Sequence, residues 1–501
     1  MTYRARHPLT ATADPAAMTA SVTPVPAASR DRLGVAALAI GGAMFVLAMA
    51  RLGLHLAYPS FLARMFDLGI YRDGGLIVRH AYHFRSGHPT PLYDWVSPGG
   101  GNPFTYPPFA AGIFAVVSYL PLRLLQWGMT AASIAALVLA IWLTLTAVGA
   151  HAGNGRFRAG ITLAVSALAL WSKPVQSNLS LGQINLLLMV AIIWDLRPVA
   201  SRSGHWWTGA VTGVAAGVKL TPLIFVIYLI VTRRFRQAAV ALAAFAATVA
   251  AGYLALPGAS STYWSTGLLD RANGTHKINV EFFFASAWNQ SLRGTLSRIM
   301  LHAQLAAGPW LILALVTALT GLLCATWLHS DGYPMLGVLT CALTGLLISP
   351  VSWLHHWVWV GPWLAAMTGM AITSRGTARR PVARWSAARW PVARWLWLGA
   401  AALVALTFVD WPLVPFLSSG KRGLDVVAQV PMKHPLSWHG AQLIEGNIFV
   451  VVGVAGLLAL FAWSVARTFQ PVRAEGSGQA ASPDHQAISH GETKPEVMTF
   501  R

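Results

Sequence analysis

"AAGVKLTPLIF" (residues 215–225) sets a lysine, a threonine and a proline inside an apolar run. Read as one segment, 207–232 would be a single membrane crossing with a charge near its middle. An ionisable residue at that depth is costly and marks a site or a pathway, paired with an anion or a carboxylate. The bland alternative is a lysine that snorkels to the interface along its own stem. Against it stands the Thr-Pro that follows, because proline has no N–H to continue a helix. The run therefore divides at Lys219, Thr221 and Pro222 into half-crossings at about 207–219 and 220–232. Short, broken crossings suit a protein that encloses a polar cavity in the bilayer, where irregular backbone finds partners.

The rest of the chain fits that setting. Of its 501 residues 55% are apolar and only 10% charged, against about a quarter charged in an average soluble domain. The apolar blocks reach the length of about 20 residues that a bilayer requires. They are continuous and not alternating, which excludes a β-barrel. The fold class is an all-α polytopic membrane protein. About twelve crossings are expected, near 33–57, 126–149, 159–173, 180–196, 207–219, 220–232, 236–256, 309–328, 333–349, 355–373, 395–416 and 445–467. One transmembrane domain, 33–467, lies between polar tails at 1–32 and 468–501 that are expected to be disordered. No cleavable signal peptide is evident ahead of the first block.

A formal net charge of +20 would suggest nucleic acid in a soluble protein. Here the arginines sit in short connectors, so they speak for topology and lipid headgroups, with no nucleic-acid partner. "GNGRFR" (153–158), "RPVASR" (197–202), "RRFR" (233–236) and the twice-repeated "PVARW" connector (375–395) fall on one side only if both termini are cytoplasmic. That arrangement makes "YPPFAAGIFAVVSYLP" (106–121) dip into the outer leaflet. It also gathers a long first loop (58–125), "SKPVQSNLS" (172–180), the Lys219 break and "SPVSWLHH" (349–356) on the outer face. Cys324 and Cys341 lie within apolar blocks and read as small core residues.

Polar residues at membrane depth concentrate on that outer face. Asp67 follows the first crossing and, on a helix, shares a face with Tyr71. Its structural alternative is a solvated carboxylate that favours a helix N-terminus. "PLYDW" (91–95) brings Asp94 and "PFTYPPFAA" (103–111) brings Tyr106. Gln183 and Asn185 stand among leucines, where interhelical packing is the competing explanation. "AWNQSLRGTLSR" (287–298) adds Asn289, Gln290 and Arg293. His80, His83 and His88 have no cysteine or acidic cluster to complete a metal set, so no metal is expected. In "SPVSWLHHWVW" (349–359) an α-helix would turn His355 and His356 about 100° apart. It would put Trp353 with Trp357 on one face and His355 with Trp359 on another, with the tryptophans as interface anchors.

Taken in order, Asp67-Leu68 with Tyr71, "LYD" (92–94), "FTYPPFAA" (104–111), "GQINLLL" (182–188), "KLTP" (219–222), "NQSLRG" (289–294) and "SPVSWLHHWVW" (349–359) resemble glycosyltransferase family 87 of the GT-C superfamily. The resemblance runs from about residue 33 to 373. It implies a GT-C-type fold and transfer from a polyprenyl-phosphate sugar, most often mannose, to a glycolipid or envelope glycan on the outer face of a bacterial-type plasma membrane. It implies Asp67 as the base, and maps the family's paired histidines onto His355 and His356. Where the family pattern D-L-x-V-Y-x-x-A has a small residue, this chain has Gly74, preceded by Arg72 and Asp73. Such a reaction needs cationic or donor groups at the leaving phosphate. Lys219, Arg293 and one histidine are candidates, His356 ahead of His355, with Gln183, Asn289 and Gln290 toward donor sugar. Tyr71, Asp94 and Tyr106 belong with the acceptor loop. The lipid-phosphate sugar is a substrate, so no cofactor is expected. An arabinofuranosyl donor is the alternative within the family. A transporter, the alternative outside it, predicts inverted repeats, and the halves show no self-similarity.

Overall fold

The computed structural model describes residues 27–57, 65–79, 91–97, 103–150, 155–198, 205–267, 284–301, 306–373, 390–408 and 440–468. His80, His83, His88, the first "PVARW" repeat and nearly all of both tails lie outside the described residues. Within them every regular element is helical, with only isolated bridges at Val96–Pro103 and Asn289–Trp353.

Helix α1 (Ala27–Ala57) starts ahead of the expected Leu33, where Asp31 pairs with Arg156 at 2.8 Å. The segment between α1 and the next long helix holds α2 (Phe66–Val78) and α3 (Pro108–Val117). The next helices are α4 (Leu122–Ala147), α5 (Gly155–Leu170), α6 (Lys173–Leu181) and α7 (Asn185–Leu196). After them come α8 (Ala210–Val218), α9 (Leu223–Val231), α10 (Phe235–Ala255) and α11 (Pro257–Thr262). The C-terminal part holds α12 (Leu292–Ile299), α13 (Ala307–Ser330) and α14 (Pro334–Ile348). It ends with α15 (Val360–Thr373), α16 (Trp390–Phe408), α17 (Ala441–Glu445) and α18 (Ile448–Thr468).

Among the described residues five helices are long and apolar enough to cross a membrane: within α1, α4, α10, α13 and α18. The α6–α7 pair, bent by 117°, makes a sixth if it counts as one span. Length alone thus accounts for fewer crossings than the twelve expected. The others are short: α14 has 15 residues, and α8 and α9 have 9 each. α13 leaves Leu311, Ile312, Leu315, Val316 and Leu319 exposed, a surface fit for hydrocarbon and not for water. The chain is an α-helical membrane protein.

Small residues set the closest helix crossings, as is usual where lipid competes with apolar packing. A Cβ on Gly41 of α1 would lie 2.0 Å from the carbonyl oxygen of Gly160 on α5. On α8, a Cβ on Gly213 would lie 2.1 Å from the Ala241 carbonyl oxygen of α10, and one on Gly217 the same distance from Thr248 Oγ1. These glycines draw α8 onto α10 and fix where it ends, at Lys219. There the backbone becomes extended (φ −149°, ψ 129°), so the expected break is present.

The segment from α2 to α3 folds around its own core of Met65, Leu68, Tyr71, Trp95, Phe104 and Phe114. α3 has 10 residues, about 15 Å at ~1.5 Å per residue, half of a ~30 Å hydrocarbon layer. Gly74 faces the Phe104 ring, where a Cβ would come within 2.5 Å, so its small size serves α2 packing.

Candidate functional site

The site forms where α2, the α6–α7 bend, the Lys219 break and the histidine segment meet. The bend is set at Gly182, whose φ of 69° is left-handed and caps α6. Glycine adopts that region without penalty. A Cβ there would also lie 2.7 Å from Leu68 Cβ on α2. The close approach brings Gln183 beside the carboxylate one position before Leu68. Gln183 Nε2 donates to Asp67 Oδ2 at 2.7 Å.

The orientation of that amide is fixed from its other end. Tyr71 Oη donates to Gln183 Oε1 at 2.8 Å, and Tyr106 Oη lies 3.2 Å from the same oxygen. The two hydroxyls are 2.6 Å apart. Tyr71 also stacks on Phe114, with ring centroids 4.7 Å apart. A flipped Gln183 would turn its NH2 toward the tyrosines and its oxygen toward Asp67. Asp67 itself is only half-buried. Burial raises its carboxyl above the ordinary carboxylate range, opposed by the Gln183 hydrogen bond and the charge of Lys219.

Lys219 Nζ donates to Asn185 Oδ1 at 2.8 Å and lies 3.2 Å from His356 Nε2. It stands 5.6 Å from the Tyr106 ring centroid. An ammonium only donates, so His356 meets it as a neutral imidazole protonated on Nδ1. Asn185 Nδ2 donates to the His355 carbonyl at 3.0 Å and approaches Asn178 Oδ1 at 3.2 Å. Asn178 in turn donates to the Gln183 carbonyl at 2.9 Å. Asp67, Gln183, Tyr71, Tyr106, Lys219 and His356 thus belong to one hydrogen-bonded network, joined through Asn185.

The histidine segment is a 3₁₀ helix, Leu354–Trp359, and not the start of an α-helix. The face assignments made on α-helical spacing are therefore corrected. Trp353 lies before the helix, bridged to Asn289. Trp357 is 4% exposed, and its indole donates to the Gln290 carbonyl at 3.1 Å, so it is a core residue instead of an interface anchor. The His355 and His356 rings stand 4.8 Å apart at 84°. His355 is buried, and neither ring nitrogen has a hydrogen-bond partner among the described residues.

Other expected site residues lie elsewhere. Asn289 donates to the Phe284 and Pro350 carbonyls and accepts from the Ser352 N–H. Gln290 Nε2 donates to the Ala287 and Gly446 carbonyls. The Asn289 amide folds the turn that carries "SPVSW" and the Gln290 amide ties its own loop to Gly446; among the described residues neither has a bond into the Asp67–Lys219 network. The Arg293 guanidinium packs 3.5 Å over Phe284 and 5.1 Å from Trp310. Asp94 is exposed in a turn closed on Pro91.

Asn178, Asn185 and Arg298 carry more of the arrangement than their sequence context announces. Arg298, fully buried, donates to the Ser286 and Asn289 carbonyls and to Asn447 Oδ1. It locks the 284–301 loop to the start of α18. Among the described residues no three His, Cys, Asp or Glu side chains form a metal-ligand group.

An apolar cavity is set against the histidine segment. It measures about 430 Å³ and lies among α14, α15, α16 and α18, walled by Leu343, Trp357, Trp359, Trp363, Trp397 and Trp463. Trp359 also packs on Phe225 of α9, with ring centroids 5.6 Å apart.

The family model for glycosyltransferase family 87 matches residues 104–350. Over 346 residues the chain is 36% identical to the polyprenol-phosphate-mannose-dependent alpha-(1-2)-phosphatidylinositol pentamannoside mannosyltransferase of Mycobacterium tuberculosis (strain CDC 1551 / Oshkosh), covering 67% of this chain and 74% of that protein. The Mycolicibacterium smegmatis protein of the same description is 32% identical over 325 residues, 64% of this chain and 73% of that protein. A phosphatidylinositol mannoside mannosyltransferase of M. tuberculosis (strain ATCC 25618 / H37Rv), with the same donor in its name, is 32% identical over 288 residues, 54% of this chain and 64% of that protein. No solved structure matches the chain.

Proposed function

Because the chain belongs to glycosyltransferase family 87, we propose that it transfers mannose from a polyprenyl-phosphate donor to a phosphatidylinositol-mannoside-type acceptor, with Asp67 as general base. The donor and acceptor classes are those named for its relatives. The observation that carries the reading is the 2.7 Å bond from Gln183 Nε2 to Asp67 Oδ2, inside a network that ends at Lys219 and His356.

An acceptor hydroxyl attacks the anomeric carbon while Asp67 takes its proton. Gln183 occupies Oδ2, which leaves Oδ1 for that proton. The bond between the anomeric carbon and the phosphate oxygen breaks, and its electron pair leaves with the polyprenyl phosphate. Negative charge then grows on the phosphate, and fixed cations and donors aimed at it lower the barrier. Lys219 supplies the charge. Its partners, Asn185 and His356, are neutral, so its charge remains to meet an anion. The unpartnered ring nitrogens of His355 suit a donor oxygen. One displacement inverts the centre, so a β-linked donor gives an α-linked product.

The reading carries the finer topology with it. A GT-C-type fold of about twelve crossings has both termini in the cytoplasm. It places Asp67, Lys219 and the histidines at the outer face. The short α8 and α9 pieces count as half-crossings there. The prenyl chain lies along apolar surface beside the histidine segment. The test is to supply the reconstituted protein with polyprenyl-phosphate mannose and a phosphatidylinositol mannoside. A product heavier by one hexose is expected; a product formed only from another polyprenyl-phosphate sugar would overturn the donor assignment.

A further inference from the structure

Asn185 is the side chain on which four separate segments converge. It opens α7, directly after the bend at Gly182. Its oxygen accepts from Lys219 Nζ at 2.8 Å. Its NH2 donates to the His355 carbonyl at 3.0 Å, with Asn178 Oδ1 at 3.2 Å and Gln183 Oε1 at 3.4 Å. A primary amide offers an acceptor oxygen and two donor hydrogens, and both ends are engaged here. Asn178, with no exposed surface, holds the amide from α6.

The consequence concerns Lys219. Its stem leaves extended backbone at a helix break and has four carbons of freedom. With only His356 to hold it, the ammonium would range over the opening toward Asp67. Asn185 holds it to one place without neutralising it. A carboxylate there would hold it equally well and cancel the charge.

We propose that Asn185 is a positioning residue that fixes the Lys219 ammonium, still unneutralised, for the donor phosphate, and ties it to the histidine segment through the His355 carbonyl. The proposal rests on the donor reading above. It adds that the residue type at 185 sets donor affinity through charge as well as through geometry. Asparagine is isosteric with aspartate, so Asn185→Asp keeps the acceptor that grips Lys219 and removes the net charge that attracts phosphate, while giving up the bonds donated to the His355 carbonyl and Asn178. Asn185→Ala removes the grip and keeps the charge.

The test is steady-state transfer by the full chain in proteoliposomes, varying polyprenyl-phosphate mannose and acceptor separately. For Asn185→Asp, the donor KM is expected to rise by about tenfold or more, the size of one hydrogen bond to a charged group, with the acceptor KM within about twofold. For Asn185→Ala, a smaller rise in donor KM is expected, with a fall in kcat as the ammonium loses its place. A merely structural role would lower the yield of folded protein and kcat alike in both variants, with the donor KM unmoved. That result would overturn the proposal. Loss of folding in Asn185→Asp, with Asn185→Ala folded and unchanged in both donor KM and kcat, would also overturn it. Wild-type protein that makes no mannosyl product fails the donor reading itself, a different outcome from wild-type turnover with an unaltered donor KM in the variants.

Discussion

Gln183 Nε2 and Asp67 Oδ2 are 2.7 Å apart, joining the α6–α7 bend to the first turn of α2. The bond has a direction, because Tyr71 and Tyr106 occupy the amide's oxygen and leave its NH2 to the carboxylate. A carboxylate held through one oxygen keeps the other for the proton it must take.

Gln183→Leu should therefore lower kcat by about 10- to 100-fold, the size of a lost hydrogen bond to a charged group. It should also move the pH profile. Burial already raises the Asp67 carboxyl above the usual range, and the Gln183 bond pulls it back. A base works when ionised, so activity falls as pH drops through the raised value. Without Gln183 that acid limb moves to still higher pH. A limb that stays in place, measured as kcat/KM against pH, would separate Gln183 from the base.

Lys219→Ala should weaken binding of polyprenyl phosphate by about 10- to 100-fold at neutral pH. The charge of Lys219 also opposes the rise at Asp67, so the acid limb should again move up. Competition with labelled polyprenyl phosphate checks the first effect and a pH series the second. Unchanged donor affinity removes the role assigned to Lys219.

Much of this site was legible in the chain itself, for definable reasons. Lys219 announced itself as a charge in an apolar run followed by Thr-Pro, and the break is there. Asp67, Tyr71, Tyr106, Gln183 and His356 came from motifs in the order the family shows them, and the structure joins them. Asn289, Gln290 and Arg293 come from motifs of the same kind, yet pack a loop. A polar residue in a motif does not show whether its partner is substrate or backbone. Asn185, like Gln183, reads equally as interhelical packing in the sequence, because its contacts lie up to 170 positions away in the chain. The histidine segment was misjudged locally: apolar pattern does not distinguish 3₁₀ from α geometry across so few residues.

Gly182→Ala should destabilise the fold by about 1–2 kcal/mol through the left-handed backbone alone, and by more through the 2.7 Å approach to Leu68 Cβ. Because the bend sets Gln183, activity should fall further than stability. Thermal unfolding in detergent, alongside transfer assays below the transition, checks both. A variant as active and as stable as wild type would show that the bend does not depend on glycine.

Arg298→Leu leaves the Asn289 carbonyl without its buried donor and takes one of two donors each from the Ser286 carbonyl and Asn447 Oδ1, which keep the Asn289 N–H and Thr295 Oγ1. Each unsatisfied buried group costs about 1–3 kcal/mol, so the expected result is loss of folded protein with no selective change in donor or acceptor KM. Fluorescence-detected size exclusion measures it. Well-folded protein with only the donor KM altered would instead place Arg298 at the substrate.

In the proposed reaction Asp67 takes the acceptor proton, and Asp67→Asn removes that capacity with the least change in shape. The amide has nearly the same shape and no basic oxygen. Mannosyl transfer by the purified variant in proteoliposomes should fall by at least ~10²-fold, the low end for loss of a general base. Binding of labelled polyprenyl phosphate should stay within about twofold of wild type, because the Lys219–His356 contact is untouched. Turnover near the wild-type rate in that variant would contradict the account.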